Sequence, residues 1–117
     1  MSTSPAIARA APLYSALFGA LGDPNRLRII TRLCDGGPSS ITQITEAIPV
    51  SRQAVTKHLL ALEAVGLVNS RRQGRQRIWV VRTGPLGEAS DYLTQLSKRW
   101  DRVIERLRAC VEEGDAQ

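Results

Sequence analysis

In the stretch SRQAVTKHLLALEAVGLV, residues 51–68, Arg52, Gln53, Thr56 and Lys57 fall on the helical face opposite Val55, Leu59 and Leu62. These side chains do not form a catalytic set. Their donors and acceptors suit base edges: arginine pairs with guanine, glutamine with adenine, and threonine meets a thymine methyl or a phosphate. Ser51 opens the stretch, and Lys57 and His58 lie toward its flank, where phosphate contact is favoured over base reading. The next segment, SRRQGRQRIWVV (70–81), adds Arg71, Arg72, Arg75 and Arg77. Residues 51–82 hold seven basic residues against one acidic, a net of +6, while the other 85 hold nine against ten, a net of −1. Excess charge confined to one window marks a polyanion-binding face rather than general solubility.

The elements that position these side chains follow from local signals. A first helix is expected over about Ala11 to Leu21, with Leu13, Leu17, Ala20 and Leu21 on one stripe. Gly22 ends it, and Asp23-Pro24 reads as an N-cap followed by proline at the first helical position. The second helix turns Leu27, Ile30 and Leu33 inward and stops at Gly36-Gly37-Pro38. Ser40 and Gln43 match a capping box that opens a short third helix with Ile41, Ile44 and Ile48 inward. Pro49-Val50 makes the turn, Ser51 caps the fourth helix, and Gly66 stands past its end. Two strands, about Leu67 to Arg72 and Arg77 to Arg82, flank a four-residue loop in which Gly74 supplies a positive φ.

A long last helix is expected from about Leu86 to Glu113. Within it Leu93, Leu96, Trp100, Val103, Leu107 and Cys110 recur at alternating steps of three and four, a coiled-coil seam. Such a stripe must be buried, against a second helix or within the subunit. The fold class is therefore mainly α with a small β hairpin, in the order α-α-α-α-β-β-α. At 117 residues the chain is read as one domain, 11–113, between a flexible tail at 1–10 and a short one at 114–117.

An enzyme is excluded by the residues available. No nucleophile has a nearby base, no metal set is present, and Gly36-Gly37 is a helix stop rather than a phosphate loop. Nothing points to a cofactor. A net charge of +5 favours a polyanionic partner. Cys34 and Cys110 lack the clustered spacing of a disulfide framework, which suits a reduced cytoplasmic protein. No stretch reaches the roughly 20 apolar residues of a membrane span. Residues 10–22 are read as an interior helix rather than a secretory signal, lacking a clear small-residue cleavage site.

Two helices joined by a tight turn, followed by an arginine-tipped hairpin, resemble the ArsR family of winged-helix repressors. LGDPNRLRIITRL (21–33), residues 51–68 and residues 70–81 carry the resemblance, which extends over about Leu13 to Glu113. It implies a homodimer formed by the first and last helices, which would engage Leu13, Leu17, Leu93, Leu96, Trp100, Val103 and Leu107. It also implies binding to a palindromic DNA operator, usually with repression of a nearby operon. Contacts to double-stranded DNA would come from Ser51, Arg52, Gln53, Thr56, Lys57, His58 and the hairpin arginines.

Many members of that family sense metals, and here the chain departs from the pattern. SSITQITEAI, the third helix, has no cysteine or histidine, and the last helix offers Glu88, Asp91, Asp101 and Glu105 without a histidine. No metal site is expected, because carboxylates alone hold zinc poorly. Other relatives respond to oxidants through cysteines in the second and last helices, where Cys34 and Cys110 lie. A thiol-based redox-sensing repressor is thus one alternative, although small buried residues are the simpler reading of both cysteines. A dimeric module binding RNA or an acidic protein through its basic hairpin is the other. The residues name no effector.

Overall fold

The computed structural model describes the backbone of residues 3–116 and the side chains of residues 10–113. Helix α1 (Thr3–Leu21) starts eight residues before the expected Ala11. Alanine-rich sequence extends the helix back through residues 3–10, which had been assigned to a tail. Residues 1 and 2 of that tail, and residue 117 of the C-terminal one, lie outside the described residues.

Helix α2 (Pro24–Gly36) opens as expected. Asp23 is extended at φ −103° and its Oδ2 accepts from the backbone N–H of Asn25 (2.9 Å) and Arg26 (3.1 Å). Gly37 ends the helix at φ 74°, a conformation that favours glycine. Strand β1 (Ser39–Ser40) follows, and then α3 (Ile41–Ala47). The capping box forms: Ser40 Oγ accepts from the Gln43 N–H (3.2 Å), and Gln43 Oε1 accepts from the Ser40 N–H (2.9 Å).

Ser51 caps α4 (Arg52–Ala64), its Oγ accepting from the Ala54 N–H at 3.1 Å. Past Val65, Gly66 takes φ 80°, while the N–H groups of Gly66 and Leu67 donate to the carbonyls of Glu63 and Leu62. That pair of bonds is a Schellman ending, and it sends the chain directly into the sheet.

Strands β2 (Val68–Gln73) and β3 (Gln76–Val81) pair antiparallel with Gln73 opposite Gln76. The turn is therefore two residues, Gly74-Arg75, rather than the expected four. Gly74 has φ 66° and Arg75 is not at positive φ, the signs of a type II′ turn. The hairpin is also not alone. β1 pairs with β3, placing Ser39 opposite Trp79 and Ser40 opposite Ile78, in a three-stranded sheet of order β1-β3-β2. β3 is central, so Ile78 and Trp79 are both buried although they point to opposite faces.

One compact unit runs to Leu86. Its core joins Ile29, Ile30 and Leu33 of α2, Ile44 of α3, Val55, Leu59 and Leu62 of α4, and Leu67, Val68, Ile78 and Trp79 of the hairpin. Leu17 belongs here as well. It was expected at a dimer interface, but only 3% of its surface is exposed, because the α1 stripe it shares with Ala20 is buried within the subunit. Leu13, one turn earlier, is 62% exposed.

Helix α5 (Thr83–Ala116) starts before the expected Leu86, since Pro85 in its first turn forgoes an N–H that has no helical partner. It continues past Glu113 through most of the expected C-terminal tail. From Gly87 it forms the second unit. Along its seam Leu93, Leu96, Trp100 and Leu107 are exposed, Trp100 to 64%, and Val103 is half-buried. No helix among the described residues is long and apolar enough to cross a membrane.

Candidate nucleic-acid interface

α4 sorts its side chains by angle. At about 100° per residue, Gln53, Thr56, Lys57 and Leu60 point away from the Val55/Leu59/Leu62 stripe, while Arg52 and His58 flank it at roughly 60° on opposite sides. Gln53 and Lys57 are exposed and carry no competing intramolecular bond among the described residues. The Thr56 hydroxyl donates to the Arg52 carbonyl at 3.0 Å, so its methyl group and lone pairs are what it offers outward. Leu60 is also exposed on this face. Sequence reasoning overlooked it because an apolar residue in an amphipathic helix reads as core, yet an exposed apolar group can contact a thymine methyl.

The two flanking residues behave differently. Arg52 reaches α3, where its Nη1 donates to Thr42 Oγ1 at 2.7 Å. His58 turns to the start of α2. Its Nδ1 accepts from Arg26 Nε at 3.3 Å, and its Nε2 stands 3.9 Å from Asp23 Oδ2. The side chain is only 18% exposed. His58 is expected on the DNA backbone; here its Nδ1 is held by Arg26, while its Nε2 stands beyond hydrogen-bond length from Asp23. Asp23 and Arg26 were the missed partners, and the signal that could have found them is their place in the LGDPNR segment that opens α2.

The electrostatics around Asp23 fit a fixed cap. The Arg26 backbone N–H lowers its carboxyl below the ordinary carboxylate range, aided by the Asn25 N–H and the nearby His58 and Arg26 side chains, against an opposing contribution from desolvation. The N-cap of α2 and the flank of α4 thus form one polar joint. It sets the orientation of the outward face.

Arg71, Arg72, Arg75 and Arg77 are all exposed on the hairpin. Arg72 and Arg77 stand directly opposite each other in the register. Like charges in that relation are destabilising, so the hairpin carries a repulsion that a polyanion would relieve. Arg77 Nη1 donates to Ser70 Oγ at 2.7 Å. Among the described residues, none of these four arginines, nor Arg52 or Lys57, has a carboxylate partner. The six cations are available to an incoming anion.

The remaining candidates are plainly placed. Trp79 is buried and its Nε1 has no hydrogen-bond partner, so it cannot stack on a splayed base. Cys34 and Cys110 are free thiols and both are exposed, whereas small buried residues had been the simpler expectation. Among the described residues no three His, Cys, Asp or Glu side chains are grouped to hold a metal ion.

A short helix, a tight turn, a second helix with a polar outward face and an arginine-rich hairpin define a winged helix-turn-helix DNA-binding domain. A helix-turn-helix domain family matches residues 21–71. The HTH-type transcriptional regulator Rv2034 of Mycobacterium tuberculosis is 34% identical over 97 residues, covering 82% of this chain and 87% of its own length. An ArsR-like transcriptional regulator from Rhodococcus sp. RHA1 has a similar structure, with a TM-score of 0.73 and 33% identity over 84% of this chain and 92% of that one. The homodimeric winged helix-turn-helix DNA-binding domain of Mb0332 from Mycobacterium bovis gives a TM-score of 0.62 and 25% identity, covering 79% and 83% of the two chains. This chain belongs to the ArsR family of winged helix-turn-helix transcriptional regulators. It is a DNA-binding regulator, not an enzyme.

Proposed function

We propose that this protein acts as a homodimeric repressor on a palindromic operator. Gln53, Thr56 and Lys57 enter the major groove from α4, and the hairpin arginines follow the backbone beside it. One observation carries this reading: six cations that have no carboxylate partner among the described residues lie on α4 and the hairpin of one unit, beside the exposed Gln53. The exposed seam of α5 and the exposed Leu13 of α1 support dimerisation, since apolar stripes of that size are usually covered. The homodimeric state of the Mb0332 domain supports it too. A two-fold dimer places its half-sites about one helical turn, roughly 34 Å, apart.

The test is fluorescence anisotropy with the DNA upstream of the protein's own gene, against a scrambled duplex of equal length, over a salt series. Tight, sequence-selective binding is the expected result. Equal affinity for both duplexes would remove the operator reading. No binding to either at low salt would favour an interaction module for RNA or an acidic protein. Burial of Trp79, the one aromatic residue in the basic window, argues against the RNA version.

A further inference from the structure

We propose that Arg52, Arg75 and Arg77 form a single phosphate seat joining the recognition helix to the hairpin, so that Arg52 holds the DNA backbone instead of reading a base. The proposal rests on the DNA-binding function and revises the role that residue type alone assigned to Arg52.

A cleft of about 210 Å³ opens between the first turn of α3, the start of α4 and the hairpin tip, and its walls include Thr42, Arg52, Arg75, Gln76 and Arg77. A cleft of that size has room for ordered water or a small anion. Three arginines line it and no acidic residue does. None of the three has a carboxylate partner among the described residues.

Arg52 Nη1 donates to Thr42 Oγ1 on the cleft wall and Arg77 Nη1 to Ser70 Oγ on β2, each at 2.7 Å. A hydroxyl orients a guanidinium without neutralising it, which keeps its charge and its other N–H donors for an anion. The helical angle gives the same answer. Arg52 leaves α4 on the α3 side, roughly 60° from the core stripe, whereas Gln53 and Lys57 lie on the far side of the helix. A base edge on the Gln53 side is not where the Arg52 head lies. A backbone phosphate beside the groove fits that placement.

Counterion release separates this seat from three independent contacts. The salt slope of log K counts phosphates neutralised, at about 0.9 each on duplex DNA, and not the arginines that neutralise them. Binding of the wild type, the three single alanine variants and the triple variant would be measured on the upstream and scrambled duplexes across a salt series. Each single change should weaken both duplexes alike, by about tenfold. The triple variant should flatten the slope by only about 0.9 per subunit. A loss near 2.7, three times that value, would mean separate phosphates and overturn the seat. Arg52→Ala that weakens only the upstream duplex would restore base reading and overturn it as well. Thr42→Val, which keeps all three charges, should reproduce part of the Arg52→Ala loss, and no effect would count against a positioned Arg52.

Should the wild type bind no duplex, titration with inorganic phosphate decides the matter without DNA. The arginine Nε–Hε resonances of residues 52, 75 and 77 should then shift with one common midpoint, which matched chloride does not reproduce. That result would keep the seat, with a free phosphorylated anion as its ligand, while the DNA reading fails. No common shift would overturn the seat.

Discussion

α4 and the hairpin present Arg52, Lys57, Arg71, Arg72, Arg75 and Arg77 to solvent, whereas the seam of α5 presents Leu93, Leu96, Trp100 and Leu107. Among the described residues neither surface has a partner, and the physics of leaving them so is opposite. A hydrated guanidinium remains soluble alone and meets its anion through an interaction that salt weakens. An exposed apolar stripe forgoes about 25 cal/mol for every Å² that a partner would cover. The charged surface suits a partner that comes and goes. The apolar one suits a partner that stays.

The largest expected effect breaks the apolar side. Trp100→Glu places a charge at the centre of the α5 seam, and losing a buried aromatic anchor typically costs about 2–4 kcal/mol, roughly 30- to 700-fold in dimer affinity. Sedimentation should then show monomers while the helical circular dichroism persists. A dimer that survives would place the interface away from the α5 seam. Duplex affinity should fall in parallel, since a monomer reaches only one half-site.

Gln53→Ala acts on the charged side without touching charge. It should reduce discrimination between the upstream and scrambled duplexes by about 1–3 kcal/mol and leave the salt slope alone. Equal weakening of both duplexes would show that Gln53 does not read a base.

His58→Ala tests whether α4 has one functional face or two. Loss of the acceptor for Arg26 Nε should lower stability by about 1 kcal/mol, read as a shift in the urea midpoint. The salt slope should not change. A slope loss near 0.9 would return His58 to the phosphate backbone.

These contrasts also show which parts of the molecule local sequence could specify. The caps at Asp23, Ser40 and Ser51 and the ending at Gly66 each depend on residues two to five positions away, and each forms as read. β1 was missed because it is two serines long and exists only through pairing with Ile78 and Trp79, nearly forty positions on. Periodicity placed His58 at the flank of α4 but could not say that Asp23 and Arg26 occupy the space beside it. The same limit applied to Arg52, whose anchor Thr42 lies on another helix. Leu17 and Leu13 lie on one α1 stripe, and only packing shows that the first is buried and the second exposed.

A smaller effect should set stability against binding within the hairpin. Arg72 faces Arg77 across the strands, so Arg72→Ala should relieve a repulsion and stabilise the free protein by about 0.2–1 kcal/mol. The same change should weaken every duplex, because it removes a cation from the backbone-facing edge. A destabilised variant would mean that the Arg72 stem packs on the sheet in a way that outweighs the repulsion.

The smallest effect concerns pH and isolates the scaffold side of α4. Asn keeps the oxygen that caps α2, so Asp23→Asn removes only the charge. The backbone N–H of Arg26, with the other groups around it, lowers the folded-state pKa of Asp23 below its unfolded value of about 3.9. The charge therefore contributes stability that is complete above the unfolded value and is lost as pH falls through the lowered folded one. Urea midpoints from neutral pH downward should show wild type ahead of Asp23→Asn by a constant margin. That margin should shrink below about pH 4 and vanish in stronger acid. A margin unchanged at the lowest pH would mean that Asp23 acts through its hydrogen-bonding shape alone. Since none of the six cations belongs to this joint, the salt slope of DNA binding should be the same for both proteins at neutral pH, and a changed slope would show that the scaffold side of α4 reaches the phosphates after all.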